Sequence, residues 1–306
     1  MSALSDHVED YLKLRRALGY KMERAGHILP QLVTYLETAG SPTLTSDLAI
    51  SWARLPAEAS PNHWAARLTM ARGFARYLQT IDPATEVPPP GVFPTRRNRP
   101  APYLWSCDDI GRLLDGARAL PSPLLAATYG TLFGLLAVSG MRVGEAAGLD
   151  RDDVDFQTGV ITIRLAKFDR TRLVPLHDTT TGALRAYVTE RDRLRPTPRS
   201  DAFFVSSVGT RLHRSSIAQT LSGITTDMGL RTATVRPTAH QLRHSFAVRT
   251  LIDWQKSGVS VDGRIATLST YLGHIAPADT YWYLSASPEL MAMAAERLDT
   301  RFGGGQ

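Results

Sequence analysis

Through the first eighty residues, apolar positions recur at helical spacing. Leu32, Val33 and Leu36 share one face of a segment predicted over 28–39. Leu48, Trp52 and Leu55 stand four and three apart behind Thr45, and Trp64, Leu68, Ala71, Ala75 and Leu78 form a longer stripe. The punctuation agrees with helices. Asp6 followed by Glu9 is a capping-box pattern, and Gly19 is placed to stop that first segment. Gly40 stands behind the second, where Pro30 is tolerable only in the first turn. Ser60-Pro61 supplies an N-cap with proline at the first helical position. Four short helices are expected.

Between Asp82 and Pro102 this pattern gives way to prolines at 83, 88–90, 94, 100 and 102, with Arg96, Arg97 and Arg99 among them. Proline removes backbone donors and forbids helix, which predicts a semi-rigid extended linker. Its arginines either sit in solvent or follow a phosphate backbone. Ser106 and Asp109 open a second unit with another capping box. Leu124 to Val138 is apolar almost all round, the mark of a buried helix. Gly159 to Ala166 alternates as a strand, Lys167 to Arg172 is polar and turn-like, and Leu173 to Leu176 resumes an apolar strand: a hairpin with a basic tip. Beyond Thr180 the pattern is helical again, apart from a strand-like Phe203-Phe-Val205. The fold class expected is mainly α with a small β-sheet. Its division is a helical domain over 1–81, a linker over 82–103 and a mixed α/β domain over 104–306.

Composition narrows the functional classes. Of 306 residues, 43% are hydrophobic and 21% charged, an ordinary globular balance that excludes collagen-like and wholly disordered chains. The single cysteine, Cys107, forms no intrachain disulfide and no metal cluster, as expected of a reducing cytoplasm. Leu132 to Val138 falls far short of the roughly 18 residues of a membrane span. The first ten residues carry acids and lack an apolar signal core. A net charge of +6 is compatible with a polyanionic partner but too small to demand one.

Three clusters in the second unit resist explanation as packing: Ser139-Gly-Met-Arg-Val-Gly-Glu-Ala146, Thr238-Ala-His-Gln-Leu-Arg-His-Ser-Phe246, and Tyr271-Leu-Gly-His-Ile275 followed by Tyr281-Trp-Tyr-Leu284. With Lys167 they bring arginines, histidines, a lysine and tyrosines together without a matching set of carboxylates. Guanidinium forks pair bidentately with phosphate oxygens and stay charged at any relevant pH. No cage of His or carboxylates for a metal-activated water is visible, so a side-chain nucleophile is expected. Tyrosine can serve, giving a phosphotyrosyl bond. With a pKa of about 10 it needs neighbouring cations and a base.

In this order the residues resemble the tyrosine recombinases, the phage-integrase family. Arg142 matches the first arginine, Lys167 the hairpin lysine, His240 and Arg243 the His-x-x-Arg pair, and His274 the histidine after Leu272-Gly273. Tyr283, nine residues beyond His274, stands where the family places its nucleophile. The resemblance implies a core-binding helical domain and a catalytic domain that form a C-shaped clamp on duplex DNA. Tyr283 would attack a phosphodiester, leaving a 3′-phosphotyrosyl bond and a 5′-hydroxyl. Lys167 would protonate the leaving oxygen, and Arg142 and Arg243 would hold the non-bridging oxygens. His240 would accept the tyrosine proton, and His274 would add hydrogen bonds. No metal, ATP or other cofactor is implied. The partners implied are double-stranded DNA and a homotetramer on two sites, in a prokaryotic cytoplasm at the nucleoid. Other recombinases of the same element are open candidates. Arg96, Arg97, Arg99 and Arg172 are candidate DNA contacts.

Two departures accompany the match: Phe168 replaces the usual glycine after the lysine, and Ser257 to Asp262 reads as an insertion. The ending from Asp279 to Leu290 resembles recombinases that move their own elements. A type IB topoisomerase shares much of this chemistry, and an accessory DNA binder with an idle site is a non-enzymatic alternative. His240 and His244, four apart, have zinc-binding spacing, but no third ligand follows. His244, Tyr281 and Trp282 are expected to be packing residues. A helix capped by Ser287 and carrying Leu290 and Met291 is expected to dock on a neighbouring protomer or on its own domain. The glycines at 303–305 favour the neighbour.

Overall fold

A computed structural model of the chain describes residues 3–95, 102–165, 170–274, 278–285, 289–292 and 295. The chain divides into two compact units, Met1–Arg99 and Pro100–Gln306.

The first unit contains α1 (Ala3–Ala17), α2 (Glu23–Thr38), α3 (Ser46–Ala53) and α4 (Pro61–Leu78). Its core joins Tyr11 and Leu12 of α1, Leu29, Leu32 and Leu36 of α2, Trp52 of α3, and Leu68, Ala71 and Phe74 of α4. Ser60 caps α4 as expected and Thr45 caps α3 in the same way, their hydroxyls accepting from the amides of His63 and Leu48. The starts of two helices differ from the sequence reading. Helix α1 begins at Ala3, so Asp6 lies in its first turn rather than at the cap, where it faces the positive end of the helix dipole. Helix α2 begins five residues earlier than expected, behind a left-handed Met22, which places Pro30 in its interior. An interior proline costs about 3 kcal/mol. The apolar side chains of Leu29, Leu32, Val33 and Leu36, at 0–2% exposure, are worth about 1.5–3 kcal/mol each and outweigh it.

The proline-rich stretch also differs from the linker expected over 82–103. Residues 82–95 pack on the helical unit, beside α3 and α4. Glu86 donates its amide to the Leu44 carbonyl and accepts from the Ser46 amide. Arg72 donates to the carbonyls of Pro88 and Pro89, at 2.8 and 2.6 Å. Phe93 is buried against Trp64. Proline excludes helix but leaves carbonyls free to accept, and Arg72 uses them. Arg96, Arg97 and Arg99 lie outside the described residues.

The second unit contains α5 (Cys107–Arg118), α6 (Pro123–Ser139) and α7 (Val143–Gly148), then β1 (Val154–Asp155), β2 (Val160–Leu165) and β3 (Arg170–Pro175). It continues with α8 (Asp178–Leu194), α9 (Arg214–Asp227), α10 (Ala239–Lys256), α11 (Val261–Leu272) and α12 (Ala278–Ser285). The strands form an antiparallel sheet in the order β1-β2-β3. Helix α6, apolar on every side, is enclosed by α5, α8 and α10. It ends at Gly140, whose φ of +59° and place against the Phe246 ring both exclude a side chain. The capping box of Ser106 and Asp109 forms at the start of α5.

The second strand begins earlier than the apolar pattern suggested, so that Arg172 lies within β3 opposite Ile163. Phe203 and Phe204 are buried, held beside isolated bridges from Asp150 to Ala202 and from Val205 to Arg211 rather than in a strand. Ser257 to Ser260 forms the turn between α10 and α11, and Val261 already belongs to α11. Leu290 is buried beside Tyr283, Leu251 and Leu272, and Glu289 pairs with Lys256 at 3.0 Å. Glu289 and Leu290, at the described start of the tail segment, therefore pack on their own unit, one of the two placements that the sequence leaves open.

Candidate active site

Three elements meet at the C-terminal end of α11. The last carbonyls of a helix lack intrahelical donors and carry its negative end. Here three consecutive ones each receive an arginine: Tyr271 from Arg172, Leu272 from Arg243 at 2.6 Å, and Gly273 from Arg142 at 2.8 Å. Gly273 takes a left-handed conformation, and the amide of His274 folds back onto the Ser269 carbonyl, closing the helix in Schellman fashion. The turn that presents His274 is thus tied to three different elements.

Arg142 caps α7. Its guanidinium meets Glu145 at 2.7 Å, and the Glu145 carboxylate accepts its backbone amide at 2.8 Å. The same carboxylate receives Arg172 at 2.6 Å. Burial pushes the Glu145 carboxyl up, but Arg172 and then Arg142 overcome this and hold it below its ordinary range. Glu145 is nearly buried, whereas the Arg142 side chain keeps 38% exposure, so N–H groups remain to meet an anion.

Helix α10 is opened by Thr238, paired with Gln241 in a capping box, and places His240, Arg243 and His244 on one face. Arg243 is 1% exposed and also donates to the Gly140 carbonyl at 2.9 Å. Burial, and then Arg142, bring its pKa down to about 10, and a hydrogen bond with Tyr283 works in the opposite direction. It remains a cation at neutral pH. Desolvation, Arg243 and Arg142 together hold the His240 imidazole below its usual value, which leaves it neutral near pH 7 and able to accept a proton.

Helix α12 presents Tyr283, 2% exposed, with its ring 5.9 Å from that of His274 and 5.3 Å from that of His244. Nδ1 of His274 is 2.7 Å from the hydroxyl oxygen of the buried Thr280, which fixes the ring. Arg142, His240, Arg243, His274 and Tyr283 are therefore brought together, while Lys167 lies outside the described residues. His244 packs between the His240 ring at 4.7 Å and Trp282 at 5.1 Å. Tyr281, expected in the core, is 50% exposed and points away from the residues around Tyr283, two positions along the helix.

Two residues were placed differently, or missed, by sequence. Arg172, expected as a DNA contact, has a side chain only 11% exposed and directs its two terminal nitrogens to the Tyr271 carbonyl and the Glu145 carboxylate, so it organises the site from within. Glu145 carries no role in the sequence reading; it binds Arg142 three residues away and Arg172 on another element. The period of two along β3 carried a signal, since Arg172 shares a face with the buried Val174 and Leu173 is 62% exposed.

The model of the phage integrase family matches residues 107–289, which contain every residue of this site. The chain belongs to the phage integrase family. It is 42% identical to a putative integrase/recombinase, y4rB, of Sinorhizobium fredii over 99% of both chains. It is 30% identical to the tyrosine recombinase XerC of Azotobacter vinelandii, covering 76% of this chain and 72% of the relative. Among solved structures, the Tn1549 transposon integrase in complex with a circular intermediate DNA shares the fold at a TM-score of 0.65 and 16% identity, covering 95% of this chain and 99% of that one. The XerH site-specific recombinase bound to its difH substrate in a post-cleavage complex matches at 0.62 and 20% identity, covering 87% and 76%. The chain is thus a tyrosine recombinase by family, and its arginines, histidines and tyrosine assemble in one place.

Proposed function

We propose that this recombinase cleaves and rejoins duplex DNA at specific sites through a covalent bond to Tyr283. The observation that carries the reading is the convergence of two arginines and a neutral histidine around one buried tyrosine at the end of α11. The Tyr283 hydroxyl gives its proton to His240 and its oxygen attacks phosphorus. The bond from phosphorus to the 5′-oxygen breaks, and Lys167 supplies a proton to that oxygen. A 3′-phosphotyrosyl ester and a 5′-hydroxyl remain. Arg142 and Arg243 neutralise the charge that builds on the non-bridging oxygens. Attack by the 5′-hydroxyl of another strand reverses these steps, so exchange conserves the ester bond without ATP. Tyr283 is 2% exposed, so a phosphodiester reaches its hydroxyl only when α12 shifts.

The helical first unit would serve as a second DNA-binding module, with Arg96, Arg97 and Arg99 between the two as phosphate contacts. The integrase/recombinase relative of Sinorhizobium fredii and the likeness to a transposon integrase support a role in integrating or moving a genetic element. Action at the nucleoid by a tetramer on two sites is part of the same proposal. Other recombinases of the element are candidate partners.

The test uses DNA flanking the gene, nicked near candidate sites so that cleavage is trapped. A covalent protein–DNA adduct resistant to SDS is expected with the wild type and with Tyr281→Phe, and none with Tyr283→Phe. An adduct that survives Tyr283→Phe would remove Tyr283 from the reaction.

A further inference from the structure

Arg214 opens α9 and is exposed. Among the described residues it makes no hydrogen bond and no ion pair. Its guanidinium lies against the backbone of α7 at Gly144, two residues from Arg142. A Cβ added to Gly144 would stand 2.0 Å from Nη2, 2.4 Å from Cζ and 2.7 Å from Nε of Arg214. Only glycine leaves room for that approach.

The neighbouring arginines behave differently. Arg211 is consumed by the carbonyls of Ala147 and Leu149 and by the carboxylate of Asp150. Arg151 pairs with Asp192. At the end of α11, Arg142, Arg172 and Arg243 surround one carboxylate, Glu145, which is already shared by Arg142 and Arg172. Three cations against one anion leave excess positive charge there, and Arg214, against α7 at Gly144, adds a fourth guanidinium with no carboxylate partner among the described residues.

We propose that Arg214 binds a backbone phosphate adjoining the one that Tyr283 attacks. The proposal rests on the recombinase reading above. DNA carries one charge per roughly 3.4 Å of rise along each strand, so a strand seated on Arg142 brings further phosphates beside it. A guanidinium supplies the planar pair of donors that a phosphate accepts.

The test measures equilibrium binding of the full chain to duplex DNA over a range of salt, for the wild type, Arg214→Ala and Gly144→Ala. The dependence of log K on log salt is expected to be shallower by about 0.9 in Arg214→Ala, the contribution of one phosphate contact. Affinity at low salt should fall several-fold, with the melting temperature unchanged. Gly144→Ala, which displaces the guanidinium, should shift the slope in the same direction. At the cleavage position mapped by the adduct, a neutral methylphosphonate beside the scissile phosphate should weaken the wild type and leave Arg214→Ala unaffected. An unchanged slope, or equal losses for both proteins at each adjoining position, would overturn the contact. Wild-type protein that forms its adduct while either result holds would leave the recombinase reading standing and the Arg214 proposal refuted. No DNA binding by the wild type would refute both.

Discussion

The carboxylate of Glu145 lies 2.6 Å from the guanidinium of Arg172, a pair separated by 27 residues of sequence and withdrawn from solvent on both sides. Through it α7, which carries Arg142, is fastened to β3, and β3 in turn to the Tyr271 carbonyl at the end of α11. Burying a carboxylate is unfavourable unless cations and donors compensate, and here two guanidinium groups and one amide do so.

Removing that charge should expose the debt in both stability and pH response. Glu145→Gln leaves Arg172 buried without a counter-charge, and a loss of about 3 kcal/mol is expected from the urea midpoint at neutral pH. The Glu145 carboxyl is held below its ordinary value of 4.5, so its contribution is fully present above that value. It is lost as pH falls from there through the lower folded value. Wild type should therefore lose more stability than Glu145→Gln over that acid interval. Parallel pH profiles for the two proteins would show that Glu145 is not held as a charged partner.

Arg172 separates two roles that sequence alone did not. As a DNA contact, it would contribute to the salt dependence of binding. As an internal tie, Arg172→Leu should leave the salt slope unchanged and slow adduct formation by about tenfold to a hundredfold, because small misplacements of reacting groups cost about that much. A slope that becomes shallower by about 0.9 would return Arg172 to the DNA surface.

Much of the site was legible because its chemistry is local. Arg142 with Glu145, His240 with Arg243, and His274 with Tyr283 each lie within one short stretch of sequence, where spacing carries information. What was not legible depends on pairing across elements. The hold of Arg172 on Tyr271 spans 99 residues, and the clustering of three arginines at the end of α11 has no one-dimensional signature. Reading Lys167 to Arg172 as one polar turn hid the alternation that places Arg172 beside Val174. The prolines at 88 and 89 correctly excluded helix, but only the position of Arg72 reveals that their carbonyls are used. The early start of α2 follows from burial of Leu29, a tertiary effect that outweighs the local disfavour of Pro30.

His240 gives the reaction its acid limit. Its imidazole sits below the usual 6.5 because its ring is desolvated and Arg243 and Arg142 stand close by. A base must be unprotonated to accept from Tyr283, so the acid limb of cleavage under single-turnover conditions should have its midpoint below 6.5. His240→Ala should lower the rate by about a hundredfold and abolish that limb. A limb that persists in His240→Ala would assign the proton to another group.

Pro30 offers a test of how the first unit tolerates a local defect. Lacking an N–H, it leaves the Gly26 carbonyl without the bond that an ordinary helical residue would give. Nearby, the Gln31 side chain donates to the His27 carbonyl and the Thr34 hydroxyl to that of Pro30, so the surrounding turn already uses side-chain donors. Pro30 is on the exposed face, and replacing it removes no core contact. Pro30→Ala restores the missing donor and should raise stability by about 1–3 kcal/mol, read as a higher urea midpoint with an unchanged m value. A loss of stability would mean that the backbone shape imposed by the proline is what seats Leu29 and Leu32 in the core, and that the ring contributes more through geometry than it costs through its missing hydrogen bond.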